Sequence, residues 1–348
     1  MRKLFLFAFI ILLFLAGFFA YTFFRPAVHK GDIDGQYLYI RTGEDMESLN
    51  KNLIEQHYIN GGGFNLVCRI LGFKKPRPGR YKIGNGMSLI RFVRMLRNGR
   101  QEPVRIVIIK ERTKELFSGR FGKGKKYDSE TDSLQMIRFL SNPDSLKKYE
   151  LDTNSVMAAI IPLTYESNWN STPSRLFKQF HTAYKIFWNK NRLKKCEEIG
   201  YDPVQVTTIA SIVDEETILK EDKYKIASTY LNRLKIGMKL QADPTVKFAL
   251  KDFGLRRILH KHLEVNSPFN TYQNTGIPPG PICTPSAESI DAVLNAPLTD
   301  YLFFVASDQF DGSSVFTGNL DDHQKYARAY QKALTNRLDS ISKTRSAK

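Results

Sequence analysis

Between Leu4 and Phe24 the chain runs for 21 residues without a charge, directly after Arg2 and Lys3. A helix of that length reaches across a bilayer core of roughly 30 Å. Secretory leaders share the basic start, but their apolar stretches run to about 7–15 residues and end in a small-x-small site. Here the run is longer and closes on Tyr21, Phe23 and Phe24. The expectation is an uncleaved transmembrane helix over 4–24, with the following chain on the far side of the membrane from the basic start.

The chain carries 52 Lys plus Arg against 35 Asp plus Glu, a formal charge of +17. Nucleic acid is excluded as the expected partner, since no zinc-finger, RRM or helix-turn-helix pattern accompanies that charge and an exported body does not meet it. The basic clusters at Arg120 to Lys126 and Lys185 to Lys195 suit anionic surfaces instead. Cys68, Cys196 and Cys283 stand far apart without metal-ligand spacing, so no metal site is expected; one disulfide stays open in an oxidising compartment, and the thiols otherwise read as small buried hydrophobes.

Past a connector, Tyr37 to Ile40 alternates as a strand, and Leu49, Leu53 and Ile54 carry a helical period. Gly79 to Ile83 reads as a strand, Leu89 to Leu96 as a helix and Val104 to Ile109 as a strand, which makes a small α/β module over 36–110. A connecting segment over 111–153 includes an expected exposed loop at Gly119 to Asp132. A larger domain over 154–340 follows. In it Phe177 to Trp188 is aromatic at helical spacing, which reads as a packing face. Tyr301 to Ala306 and Ser314 to Thr317 flank Asp311-Gly312 as a hairpin. Asn319 caps a last helix whose stripe includes His323, expected to pack or cap.

The chemistry points to Asp202 to Leu219. Asp202 suits an N-cap, Pro203 the first helical position, and Gln205 completes a capping box. At 100° per residue, Ile209, Ile212, Val213 and Leu219 all fall within about 60° of Glu216, while Asp214 and Glu215 point elsewhere. A carboxyl among apolar side chains holds its proton to higher pH, as a general acid requires. Pairing of Glu216 with a Lys or Arg, Arg233 among them, is the open alternative.

The succession Ala210-Ser211-Ile212-Val213-Asp214-Glu215-Glu216-Thr217, then Asn232-Arg233-Leu234, Gly237-Met238, Leu240-Gln241, Asp243-Pro244-Thr245-Val246, Asn270-Thr271-Tyr272, Pro278-Pro279-Gly280 and Thr284-Pro285, resembles the membrane-anchored endolytic murein transglycosylases, the MltG or YceG-like family. Pro162-x-Thr164-Tyr165 and Phe316 to His323 extend the likeness. Met157 and Ala158 depart from the acidic residue and glycine common in the family before that proline, so no substrate contact is assigned there.

The resemblance implies an α+β fold: the transmembrane helix, a LysM-like module and a mixed α/β catalytic domain. It gives Glu216 the catalytic role, and makes Gln241, Asp243, Thr245, Asn270 and Tyr272 candidates for substrate contacts, with Pro278 to Pro281 shaping a groove wall. The implied reaction is endolytic cleavage between MurNAc and GlcNAc with 1,6-anhydroMurNAc ends and no cofactor. It implies a single-pass protein of the cytoplasmic (inner) membrane, facing the periplasm and working on nascent strands beside peptidoglycan synthases. A hydrolase using Glu216 with Asp243, or a non-catalytic peptidoglycan-binding protein, are the alternatives.

Overall fold

A computed structural model describes residues 2–29, 37–60 and 63–346. The chain divides into two compact units: Met1–Ile106 with Phe121–Asp132 and Glu166–Pro173, and Val107–Arg120 with Ser133–Tyr165 and Ser174–Lys348.

The first unit opens with helix α1 (Arg2–Phe24) and strand β1 (Pro26–Val28), followed by β2 (Tyr37–Ile40), α2 (Met46–Glu55), α3 (Phe64–Ile70), β3 (Gly79–Lys82), β4 (Met87–Ser88), α4 (Leu89–Asn98) and β5 (Val104–Val107). Asp45 starts α2 by accepting from the Ser48 amide at 2.8 Å, and Leu49 and Leu53 turn inward. β2 and β3 pair antiparallel from Tyr37↔Lys82 to Ile40↔Gly79. They close a β-α-α-β core that buries Leu38, Ile40, Leu49, Leu53, Val67 and Tyr81. β1 pairs with β4, Pro26 opposite Ser88.

Two parts of the unit differ from expectation. α3 went unread because it has only seven residues behind a glycine run, and Gly63 enters it at φ +92, a conformation glycine takes without strain. The segment expected as an exposed loop at 119–132 instead buries Phe121 and Tyr127, whose rings meet edge to face at 5.1 Å. Asp128 from that segment accepts from Tyr39 Oη at 2.9 Å and Trp169 Nε1 at 3.3 Å. Phe121 and Tyr127 stand six positions apart among Gly, Lys and acidic residues, a composition that reads as a turn unless their rings are known to meet.

The expected membrane span at 4–24 falls partly outside the described side chains, at 4, 5, 8, 19, 22 and 23. Among the described residues no helix is long and apolar enough to cross a membrane. α1 is nonetheless continuous over 23 residues.

The second unit is helical with one hairpin. It comprises α5 (Lys114–Ser118), α6 (Ser133–Leu140), α7 (Pro143–Lys147), a 3-10 turn at Val156–Ala159, β6 (Thr164–Ser167), at which the chain passes between units, and α8 (Pro173–Phe187). Then come α9 (Lys190–Ile199), α10 (Pro203–Glu216), α11 (Lys220–Lys235), α12 (Asp243–Leu250), α13 (His260–Leu263), α14 (Ala287–Leu294), β7 (Phe303–Ala306), β8 (Ser314–Thr317) and α15 (Leu320–Ser346). Leu176, Phe177 and Phe180 of α8 are buried, so that aromatic face packs.

α10 is the central element. Asp202 accepts from Val204 and Gln205 amides while Gln205 Oε1 accepts from the Asp202 amide, the reciprocal cap expected of that sequence. Every residue from Val206 to Val213 is buried, against α9, α11 and α14. The helix is therefore enclosed and not striped. Its polar residues survive burial because Thr207, Thr208 and Ser211 donate back to Pro203, Val204 and Thr208 carbonyls, local bonds that satisfy each hydroxyl.

β7 and β8 pair antiparallel, Phe303↔Thr317 to Ala306↔Ser314, and α15 packs on both. Asn319 caps α15 by accepting from the Asp322 amide at 2.9 Å. Pro278 to Pro281 do not line the groove that holds Glu216; Pro281 instead lines a separate cavity of about 200 Å³ with Asn154, Phe248 and Phe269. Gly280 lies so close to the Asn154 carbonyl that an added Cβ would sit 2.1 Å from it. Cys68, Cys196 and Cys283 are free and buried.

Candidate active site

α10 ends at Glu216, and Thr217 leaves in extended conformation. Leu219 therefore belongs to the cap of α11 and not to the face of Glu216. What sets Glu216 apart is its place as the last helical residue, where α10 emerges from the core. Asp214 and Glu215 turn the other way. Asp214 meets Lys110 at 2.8 Å and Lys223 at 3.2 Å, and accepts from Ser286 and Ser289. Glu215 meets Lys110 at 2.8 Å and Arg112 at 3.1 Å. Despite the desolvation of a mostly buried site, these cations and hydroxyls hold the Asp214 carboxyl well below the usual carboxylate range.

Among the described residues Glu216 has no such cation. Its side chain opens into a groove of about 410 Å³ shared with Tyr230, Arg233, Leu240, Gln241, Asp243, Tyr272, Phe303, Phe304, Leu320 and His323. Tyr230 Oη donates to Glu216 Oε1 at 2.8 Å. Burial pushes the Glu216 carboxyl up to about 7, and the nearby Asp243 charge adds to this, while the Tyr230 hydrogen bond and the Lys247 charge pull the other way. Burial wins because a phenol and a distant ammonium replace only part of the water a carboxylate loses. The negative end of α10 acts in the same direction.

Of the six residues expected at the site, four converge: Glu216, Gln241, Asp243 and Tyr272. Gln241 takes a left-handed φ of +49, held by its amide donating to the Thr271 carbonyl at 3.1 Å. Such a backbone costs of order 1 kcal/mol for a residue with a Cβ, and recurs at ligand clamps. Tyr272 Oη donates to Asp243 Oδ1 at 2.7 Å. Burial first, then that carboxylate, raise the phenol above its ordinary range.

Thr245 and Asn270 do not reach the groove. Both are fully buried. Thr245 Oγ1 bonds the Ala242 carbonyl at 2.6 Å and Thr271 Oγ1 at 2.8 Å. Asn270 Nδ2 donates to Leu263 and Val265 carbonyls, and its Oδ1 accepts from the Tyr272 amide. They fix the two turns that present Gln241, Asp243 and Tyr272.

Sequence reading missed Tyr230 and underrated Arg233 and His323. Tyr230 lies 14 positions from Glu216 on α11, and only the helix-to-helix packing brings them together. Among the described residues Arg233 pairs with no carboxylate. It donates to Leu302 at 2.6 Å, Leu240 at 2.7 Å and Lys239 at 3.3 Å, and thereby ties the α11–α12 turn to the hairpin. His323 stacks on Phe303 at 5.3 Å, and its Nδ1 is buried without a hydrogen-bond partner among the described residues. Burial and then Arg233 lower its pKa, so the ring faces the groove neutral.

The fold and site together define a mixed α+β protein with one carboxyl of raised pKa lining a polar and aromatic groove. The chain belongs to the YceG-like family, matched over residues 38–329. It is 38% identical over 179 residues to an endolytic murein transglycosylase of Bacillus subtilis strain 168, covering 49% of this chain and 47% of that one. It is 29% identical over 197 residues to an endolytic murein transglycosylase of Streptococcus pneumoniae D39, covering 55% and 34%. The match thus spans about half the length of the first relative and a third of the second. A crystal structure of a YceG-like protein from Listeria monocytogenes superposes with a TM-score of 0.55 over 83% of this chain and 97% of that one, at 24% identity, which supports the fold.

Proposed function

We propose that this chain cleaves the MurNAc–GlcNAc bond inside peptidoglycan glycan strands as a lytic transglycosylase, leaving 1,6-anhydroMurNAc ends. The observation that carries the reading is the Glu216 carboxyl, raised to about 7 and hydrogen-bonded by Tyr230 at Oε1 alone among the described residues. Because Tyr230 donates to Oε1, the acid proton belongs on Oε2, free for substrate. That proton passes to the glycosidic oxygen, the C1–O bond breaks, and GlcNAc leaves with its hydroxyl restored. The C6 hydroxyl of the same MurNAc then bonds to C1 and returns its proton to the Glu216 carboxylate, so no water is consumed. Gln241, Asp243 and Tyr272 are positioned for sugar contacts, Tyr272 offering a ring face. The endolytic name of the relatives suits a cut inside strands.

A hydrolase would need Asp243 to activate water, and its place in the same groove keeps that reading testable. Glu216→Gln should lower turnover on purified murein by at least about 10²-fold; near-normal turnover would remove the assignment.

The same reading places the protein in the cytoplasmic membrane through α1, catalytic groove outward, trimming nascent strands beside their synthases, with the β-α-α-β core as a LysM-like module. The uncharged run at 4–24 and its continuous helix support the anchor. The full chain should stay with membranes through a high-salt wash, since apolar insertion is not screened by salt. A soluble form beginning after Phe24 would contradict it.

A further inference from the structure

A second groove, of about 420 Å³, lies in the first unit and shares no residue with the acid site. Lys82, Arg91, Arg94, Asn98, Arg100 and Glu102 line it. α4 accounts for the pattern. Leu89, Phe92, Val93 and Leu96 face the core, with Met95 half-buried against it, which leaves Arg91, Arg94 and Asn98, spaced i, i+3, i+7, on the outer side. β3 adds Lys82 from one flank and the segment after Gly99 adds Arg100. Four cations face one carboxylate, and among the described residues none of the four forms an ion pair. Like charges at i, i+3 weaken a helix, so Arg91 and Arg94 are set together at a cost that no internal partner offsets. Four cations held around one cavity are a site for an anion, and paired guanidinium forks match phosphate oxygens.

The position of the groove indicates which phosphate. A single residue, Arg25, separates α1 from β1, and β1 pairs Pro26 with Ser88, the residue before α4. At 1.5 Å per residue, Arg91 and Arg94 therefore lie about 4.5 and 9 Å along α4 from that anchor point. α1 also packs against α4, and Arg25 stacks on Tyr21 at its end, the pairing of aromatic and basic residues found at headgroup level. A charge this close to a bilayer surface lies within a Debye length of about 8 Å or little more. The geometry points to this groove as a site for the phosphodiester headgroup of an anionic phospholipid, which would fix the first unit against the membrane surface. Phosphate recognition rests on the groove alone; the lipid as its source rests on the membrane anchoring proposed above.

The test is thermal unfolding of the full chain in detergent, titrated separately with dihexanoyl-phosphatidylglycerol, dihexanoyl-phosphatidylcholine and inorganic phosphate. The anionic lipid should raise the midpoint temperature with saturation, and the zwitterionic lipid should not. Each cation near an anionic surface contributes about a fivefold factor, so Arg91→Gln/Arg94→Gln should weaken the half-saturating concentration at least about tenfold, and Glu102→Gln should strengthen it. Both changes are on exposed or half-exposed side chains, and the unliganded melting curve reports whether each variant folds. Equal response of wild type and the double variant, or none, would overturn the site. An equal response to inorganic phosphate would overturn the lipid as its ligand. Loss of the chain from membranes would instead defeat the anchor while leaving the phosphate response in place.

Discussion

Tyr230→Phe separates a positioning role from a packing role. The ring of Tyr230 is buried and meets Phe304 edge to face at 5.9 Å, and phenylalanine keeps that packing. Only the bond to Glu216 Oε1 at 2.8 Å is lost. That bond favours the ionised carboxyl, and hydrogen bonds to charged groups are worth about 1.5–3 kcal/mol. The groove is open to water, so the lower end applies. At 1.36 kcal/mol per pH unit, the Glu216 carboxyl should rise from about 7 by about one unit. The sign follows directly: the protonated, acid-competent form persists to higher pH. The alkaline limb of kcat/KM on purified glycan strands should therefore move upward by about one pH unit, while the maximal rate falls several-fold because Oε2 is no longer held in place. A limb that stays put or moves down would refute the argument, since a merely structural tyrosine would lower rate without displacing the profile.

Asp214→Ala should leave Lys223, only slightly exposed, without its main partner, and breaking a buried pair in this way costs about 3–5 kcal/mol. Calorimetry should show a midpoint lower by about 6–15 °C, whereas turnover per folded molecule changes little; an unaltered midpoint would mean that the charge cluster contributes nothing. Glu216→Gln should behave oppositely. Because the folded carboxyl titrates near 7 against an ordinary 4.5, the folded chain binds that proton more tightly, and stability falls as pH rises from about 4.5 to 7. The variant avoids this loss, so it should match wild type at pH 4 and exceed it by about 1–3 kcal/mol at pH 8; equal urea midpoints at both pH values would contradict the raised carboxyl.

The separation of Glu216 from the ion-paired Asp214 and Glu215 is legible in the sequence, because it alone of the three acids stands beside apolar positions of the helix. The apolar stripe expected around it is only partly present. α10 is buried on all sides, and Leu219, counted on the same face, lies beyond the helix end. The capping box, the β2 and β3 strands, the α4 core face, the β7–β8 hairpin and the Asn319 cap are local patterns and can be read, whereas the long-range pairing of β2 with β3, Tyr37 opposite Lys82, is not. Thr245 and Asn270 looked like ligand contacts because polar residues in a motif carry no mark of whether their donors are already satisfied. Tyr230, Arg233 and His323 come from three elements, and their convergence depends on packing angles that no periodicity encodes. Arg233 in particular was sought opposite a carboxylate, when three backbone carbonyls hold it.

The central claim is that Glu216 works with an intramolecular nucleophile, and product analysis tests it most directly. Long glycan strands digested with the purified chain in water labelled with heavy oxygen should yield internal fragments ending in 1,6-anhydroMurNAc, lighter by one water than hydrolytic ends and free of label. Reducing MurNAc ends carrying the label would contradict the account and make Asp243 the second carboxylate of a hydrolase.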